Sequence, residues 1–283
     1  IRNSYPMALS LGLILAFYGM LALGLHDFLG KIVLKKIKPF ELLFLEYLFG
    51  LILLLPFLFF ARINFDIKSI YLILVMGFLH VLAYFGLYGG FKIGKISLLS
   101  PVAASYTLPT LILAYIFLDE KITKFQLFGV ILAIVGIFLV SFEKTGKIKL
   151  TKGFILAFIP MLSFALVFFL YKPLTAIYGF IFMVFLFKMV ALLAITPKYR
   201  YSVRKLNTSL FFIVLLIAVL ETSMQVTYAY STTVEKISLT VPIINMYPAV
   251  VFIVSYLFLK ERLKLNQYIG LIFLLPALAL LSI

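Results

Sequence analysis

Residues 12–31 read GLILAFYGMLALGLHDFLGK, and residues 153–172 read GFILAFIPMLSFALVFFLYK. Set against each other without a gap, they agree at 11 of 20 positions, at a shift of 141 residues. The same shift carries Lys95-Ile96-Ser97-Leu98 onto Lys236-Ile237-Ser238-Leu239. It also carries Pro101 onto Pro242, Tyr106 onto Tyr247, Glu120 onto Glu261, Gln126 onto Gln267 and Gly129 onto Gly270. Shared hydrophobicity accounts for matched Leu and Ile. It does not account for Lys, Ser, Pro, Tyr, Glu and Gln held in one register, so the chain is an internal duplication. The two copies are assigned to residues 1–143 and 144–283.

Composition says what is duplicated. The 283 residues are 65% hydrophobic and 12% charged, with a mean hydropathy of +1.20. Soluble domains are roughly 45–50% apolar and about 25% charged. A water-soluble fold cannot bury this much apolar surface, and the chain needs lipid. Charged, Pro and Gly breaks divide it into ten apolar runs, at 6–30, 39–61, 68–91, 95–118, 124–142, 152–171, 177–196, 208–231, 236–259 and 265–283. A spanning helix needs about 20 such residues, and helices satisfy their own backbone polar groups inside lipid. The expected fold is an all-α membrane protein with ten transmembrane helices in two five-helix repeats.

Five spans is an odd number, so the second repeat enters the bilayer in the opposite sense to the first. Inverted repeats of this kind build many secondary transporters, with the substrate site at their interface near the midplane. The alternative is a duplication that records gene history and has no transport role.

Net charge is +15, yet 24 of the 25 Lys and Arg lie at the ends of apolar runs or between them. Charges so placed meet lipid head groups and fix topology, and nucleic acid is not the expected partner. The loops on one side hold 17 basic residues against 7 on the other, which by the positive-inside rule puts both termini outside. The first run is too long for the core of a cleavable leader and lacks a small-residue cleavage site. With no Cys in the chain, disulfides, thiol chemistry and Cys-ligated metal are ruled out. HExxH, GxSxG and Walker A patterns are missing, so an enzyme is not expected.

Two stretches resemble the EamA-type members of the ten-span drug/metabolite transporter superfamily. One is Gly24-Leu25-His26-Asp27-Phe28-Leu29-Gly30-Lys31. The other runs from Ser97 to Gly136, with Phe117-Leu118-Asp119-Glu120, Gln126 and Gly129, and recurs as Leu257-Phe258-Leu259-Lys260-Glu261, Gln267 and Gly270. The family often carries Trp in span 1 and Arg in span 2. This chain has no Trp, and Tyr47 and Lys188 stand at the corresponding positions of spans 2 and 7. The resemblance implies transport of amino acids, metabolites or amphipathic drugs without a cofactor, and both termini cytoplasmic, against the charge count.

Ionisable side chains inside a span cost roughly 2.5–3.5 kcal/mol on insertion scales, which makes each a functional candidate. They are His26, Asp27, Glu41, Glu46, His80, Lys188 and Glu221. His80 and Glu221 are equivalent under the duplication. His80, Tyr84, Leu87 and Phe91 share one helical face, as do Glu221, Gln225, Tyr228 and Thr232. The two stripes are read as opposite walls of a substrate cavity, or else as interhelical glue. Lys188, paired with Glu221 or Glu46, holds a substrate carboxylate or forms a structural ion pair. Glu46, Glu221 and His80 are the candidates for proton coupling. His26 and Asp27, towards the end of span 1, gate or bind ligand or simply meet the membrane interface, and the interface is favoured. Tyr84, Tyr88, Tyr106, Tyr228 and Tyr247 are candidates for stacking on substrate. Pro101 and Pro242, with Pro109 and Pro248 deeper in the same two spans, are expected as hinges or as static bends. Gly86, Gly90 and Gly94 form a small-residue ridge for close helix packing.

The function expected is secondary transport of a small metabolite, an amino acid or similar zwitterion, by alternating access. Sugar-phosphate, nucleotide-sugar or drug exchange on the same fold, and a passive channel, are the alternatives. The expected setting is the plasma membrane, multi-pass, as a monomer or homodimer. No cofactor or metal is expected, and the partners are a small-molecule substrate and the lipid bilayer.

Overall fold

The computed structural model describes residues 11–61, 63–121, 123–141, 152–196, 206–260 and 265–281, with no strand among them. The helices of the first half are α1 (Leu11–Val33), α2 (Pro39–Leu58), α3 (Ile70–Ile93), α4 (Ile96–Ala104), α5 (Thr107–Leu118) and α6 (Lys124–Ser141). Those of the second are α7 (Lys152–Tyr178), α8 (Phe180–Ile195), α9 (Thr208–Val234), α10 (Ile237–Ile244), α11 (Tyr247–Val254) and α12 (Leu265–Leu281). The repeat division expected at residues 143 and 144 lies outside the described residues, as does Glu261.

Seven helical stretches are long and apolar enough to cross a membrane: Leu11–Val33, Pro39–Leu58, Ile67–Ile93, Leu99–Leu118, Leu156–Tyr178, Thr208–Val234 and Ile237–Leu259. The chain is a multi-pass, all-α membrane protein. The expectation of ten spans is met for these seven. The runs at α6, α8 and α12 are helical but shorter, at 18, 16 and 17 residues. Faces turned away from the core are apolar: α3 exposes Leu74 and Phe78 while it buries His80 and Tyr84. A water-soluble helix does the reverse.

The expected fourth span is two helices, α4 and α5, and the ninth is likewise α10 and α11. The breaks fall at Ser105–Tyr106 and Asn245–Met246, beyond Pro101 and Pro242 rather than at them. In the first break, Pro109 has no N–H to give Ser105, whose carbonyl takes the N–H of Leu108 at 3.1 Å. The Ser105 hydroxyl in turn donates to the carbonyl of Pro101 at 3.0 Å. Bonds at three-residue spacing recur in the second break, from Met246 to Ile243 and from Ala249 to Met246. Equivalence extends to backbone angles. Asp119 and Lys260, related by the shift of 141, are the non-glycine residues with positive φ among those described, at 54° and 53°. Each adopts the left-handed conformation that ends a helix.

Packing between the halves follows the duplication. α1 lies along α9, and the equivalent pair α7 and α3 does the same, while α2 packs on α8 and α6 on α12. Phe60 and Ala61, just past the end of α2, lie beside Gly179 and Phe180 at the start of α8. Asn266, at the start of α12, donates to the carbonyl of Leu139 near the end of α6, at 3.2 Å. Equivalent helices that touch therefore run antiparallel.

Close approach of α3 to α7 depends on Gly86. A Cβ there would lie 2.7 Å from Ile159 Cβ and 2.9 Å from the carbonyl of Leu156. The glycine ridge read from the sequence thus has one member that meets the other repeat.

Candidate functional site

Glu221 and Gln225 are one helical turn apart on α9 and face the same way. Lys188, from α8, forms an ion pair with Glu221, and the Gln225 amide donates to the other carboxylate oxygen. Lys188 and Glu221 are fully buried. Gly50 of α2 leaves the room: a Cβ there would stand 3.0 Å from Lys188 Nζ. Of the two partners expected for Lys188, the structure selects Glu221. The ammonium also lies 5.8 Å from the centre of the Tyr47 ring.

Gln225 reaches across to the first repeat, with Nε2 2.8 Å from His80 Nε2. An amide nitrogen only donates, so His80 Nε2 accepts, and Nδ1 carries the imidazole proton. That nitrogen lies 2.9 Å from the hydroxyl of Tyr47, which receives it. With His80 neutral, Glu221 ionised and Lys188 charged, each of these four contacts has one proton between its atoms.

A second cluster lies wholly on the first half. His26 and Asp27 of α1 are 0% exposed, and Glu46 of α2 is 1% exposed. This corrects the interface position expected for His26 and Asp27. α1 runs to Val33, and its polar turn is covered by α3 and α4. His26 Nδ1 is 3.0 Å from Asp27 Oδ1, and Nε2 is 3.0 Å from the hydroxyl of Tyr88. Tyr88 donates to Glu46 Oε1 at 2.5 Å. Ser100 of α4 points its hydroxyl at Asp27 Oδ2, 3.5 Å away.

Between the clusters is a narrow cavity of about 10 Å³, whose polar lining is Asp27, His80, Tyr84, Tyr106, Tyr171, Gln225 and Tyr247. Such a volume holds about one water molecule. The Tyr106 hydroxyl and the Gln225 side-chain carbonyl are buried there without a hydrogen-bond partner. Tyr84 meets Phe164 edge-on, and Tyr106 stacks on Phe168 at 4.6 Å. Tyr247 donates to the carbonyl of Ser100 at 3.2 Å.

Five of the residues singled out in the sequence thus converge on one space: His80, Tyr84, Tyr106, Gln225 and Tyr247. Lys188, Glu221 and Glu46 do not line it but stand one layer behind. Tyr228 also stands behind, donating to the carbonyl of Phe168 at 3.0 Å and packing on Tyr171. Pro101 and Pro242 lie in α4 and α10, and between the two helix breaks Asn245 donates to the hydroxyl of Thr107. Asp27, weighed in the sequence between ligand binding and the favoured interface position, lines the space as well.

At the edge of the spans, Glu120 follows the left-handed turn that ends α5. It accepts from Lys172 Nζ at 2.9 Å and from the backbone N–H groups of Ile237 and Ser238, at 3.3 and 3.0 Å. A carboxylate from the first half therefore caps α10 of the second. Burial pushes its pKa up, but the Lys172 and Ser238 hydrogen bonds outweigh burial and hold it below the usual value.

Two helical repeats share a buried polar cavity inside a membrane bundle, the architecture on which many transporters are built. The EamA-like transporter family matches residues 10–142 and again residues 151–283, and the chain belongs to that family. The family is one of membrane transporters. A solved crystal structure is similar to the chain with a TM-score of 0.67 at 13% identity, over 96% of each chain, a likeness of fold alone. No curated protein sequence matches the chain.

Proposed function

We propose that the chain is a secondary transporter that carries an amino acid or similar zwitterion across the plasma membrane by alternating access. The supporting observation is a buried cavity, built from both repeats, whose polar lining includes the Asp27 carboxylate and the Gln225 amide. Asp27 offers an acceptor for the cargo's ammonium group. The Tyr106 hydroxyl, buried without a hydrogen-bond partner, is the donor left to meet the cargo's carboxylate, the Gln225 side-chain carbonyl is a further acceptor for its ammonium, and the other tyrosines flank the side chain between. Sugar phosphates fit less well, because a dianion needs several cations and Lys188 is already neutralised by Glu221.

Cargo of this size exceeds a space of about 10 Å³, so the cavity opens before it fills. The corresponding helix breaks at residues 105–106 and 245–246 are where the halves flex.

Purified protein in proteoliposomes, offered a panel of labelled amino acids, should show uptake that saturates and should support counterflow. Flux that rises linearly with concentration and shows no counterflow would instead identify a channel.

A further inference from the structure

The contacts along Asp27–His26–Tyr88–Glu46 need a proton that those of the Lys188–Glu221–Gln225–His80 cluster do not. The run has three hydrogen-bond contacts: Asp27 Oδ1 to His26 Nδ1 at 3.0 Å, His26 Nε2 to Tyr88 Oη at 3.0 Å, and Tyr88 Oη to Glu46 Oε1 at 2.5 Å. Each contact needs one proton between its atoms. Two ionised carboxylates, a neutral imidazole and a phenol bring only two. One further proton is needed for all three to form.

Its place follows from the direction of the bonds. Tyr88 gives its only proton to Glu46, so its oxygen accepts from His26 Nε2. The other ring nitrogen faces a carboxylate oxygen, so it also donates. His26 then carries both protons, as an imidazolium between two carboxylates, with Glu46 Oε1 3.7 Å from Nε2. We infer that this run is a proton-binding site, occupied in the closed form, and that His26 holds the proton.

The surroundings favour a cation. On α1 itself, Lys31 is one turn beyond Asp27, with its ammonium held by the carbonyls of Phe91 and Gly94. α3 presents Tyr84 and neutral His80, α4 presents Ser100, and α10 has no titratable side chain. α11 brings Tyr247, and Tyr106 stands at the break between α4 and α5. Beyond His80, Lys188 and Glu221 cancel each other. Asp27 and Glu46 are thus left to His26.

Asp27 belongs to both the proton run and the cavity. On the carrier reading above, cargo bearing an ammonium group reaches Asp27 beside the imidazolium. Like charges in a site of low dielectric repel strongly. The proton on His26 then leaves to water as the ammonium arrives, and cargo and proton exchange one for one.

Histidine labelled with ¹⁵N tests the site without any cargo, because the chain has two His, His26 and His80. In lipid near neutral pH, His26 should show two protonated ring nitrogens and His80 one. Glu46→Gln should move the loss of the second His26 proton to lower pH by about 1–3 units. Unchanged His80 signals would show that this variant is folded. A neutral His26 in the wild type, or an unmoved titration in a folded Glu46→Gln, overturns the site. In proteoliposomes, an opposing pH gradient should accelerate amino-acid flux at least several-fold. Flux indifferent to the gradient overturns the exchange. No flux of any amino acid refutes the carrier reading and leaves the ¹⁵N result to decide the proton site alone.

Discussion

Gln225 and His80 come from opposite repeats, and their Nε2 atoms lie 2.8 Å apart in the centre of the bundle. The duplication makes His80 equivalent to Glu221, one turn from Gln225, so the contact lies close to the approximate two-fold axis that relates the halves. The amide spends one N–H on each half. It is the link by which the charged pair of α8 and α9 is felt on α3.

Replacing that amide with an apolar side chain of similar size should be costly. Gln225→Leu leaves His80 Nε2 and a Glu221 oxygen without donors in a buried site. Each loss is worth about 1–3 kcal/mol. The melting temperature in detergent should fall by several degrees, and an unchanged value would show that the bridge does not form.

The Lys188–Glu221 pair separates stability from function. Removing one member strands a buried charge and should cost about 3–5 kcal/mol, whereas replacing both with apolar groups is often close to neutral. Lys188→Met and Glu221→Leu should each destabilise strongly, and the double variant should recover most of the loss. Flux should be lost in all three. A stable double variant with normal flux would reduce the pair to a structural contact.

Glu120 gives a pH dependence of definite sign. Its folded pKa is depressed, so its contribution is complete above the usual carboxylate range and disappears as pH falls through the lowered folded value. Thermal melts of wild type and Glu120→Gln should differ most near neutral pH and converge in acid. A gap that widens on acidification would contradict the assigned hydrogen bonds.

Much of this was legible in the sequence because the chain carries its pattern twice. Two copies in one register fixed the equivalence of His80 with Glu221 and of Tyr106 with Tyr247 before any coordinates. Three of these line the cavity, and Glu221 lies just behind. The cost of burying charge selected Glu46, Lys188 and Glu221 without any knowledge of packing. Partner choice was not legible: helical spacing says which face a residue occupies but not which helix lies opposite. That is why Lys188 had two candidate partners and why His26 and Asp27 were put at the interface. The helix breaks fall just before the deeper prolines, Pro109 and Pro248, and not at Pro101 and Pro242. A missing proline N–H frees a carbonyl four residues earlier, so Pro109 opens the gap at Ser105, while Pro101 remains inside α4.

Those breaks supply the last prediction. Asn245, at the end of α10, donates to the hydroxyl of Thr107 at the start of α5, and ties one broken helix to the other across the halves. If the two breaks are the joints of the transport cycle, they must separate when the cavity opens. The chain contains no Cys, so thiols introduced at both positions would be the sole pair in the protein. Thr107→Cys with Asn245→Cys, joined by a short reducible bis-thiol reagent, should hold the closed form and stop flux. Reduction should restore flux to the level of the unreacted double variant. Each single variant treated with the same reagent should keep its own rate, which separates locking from simple blockage. Full flux through quantitatively cross-linked protein would show that the breaks stay together throughout the cycle, and the joint would then have to lie elsewhere in the bundle.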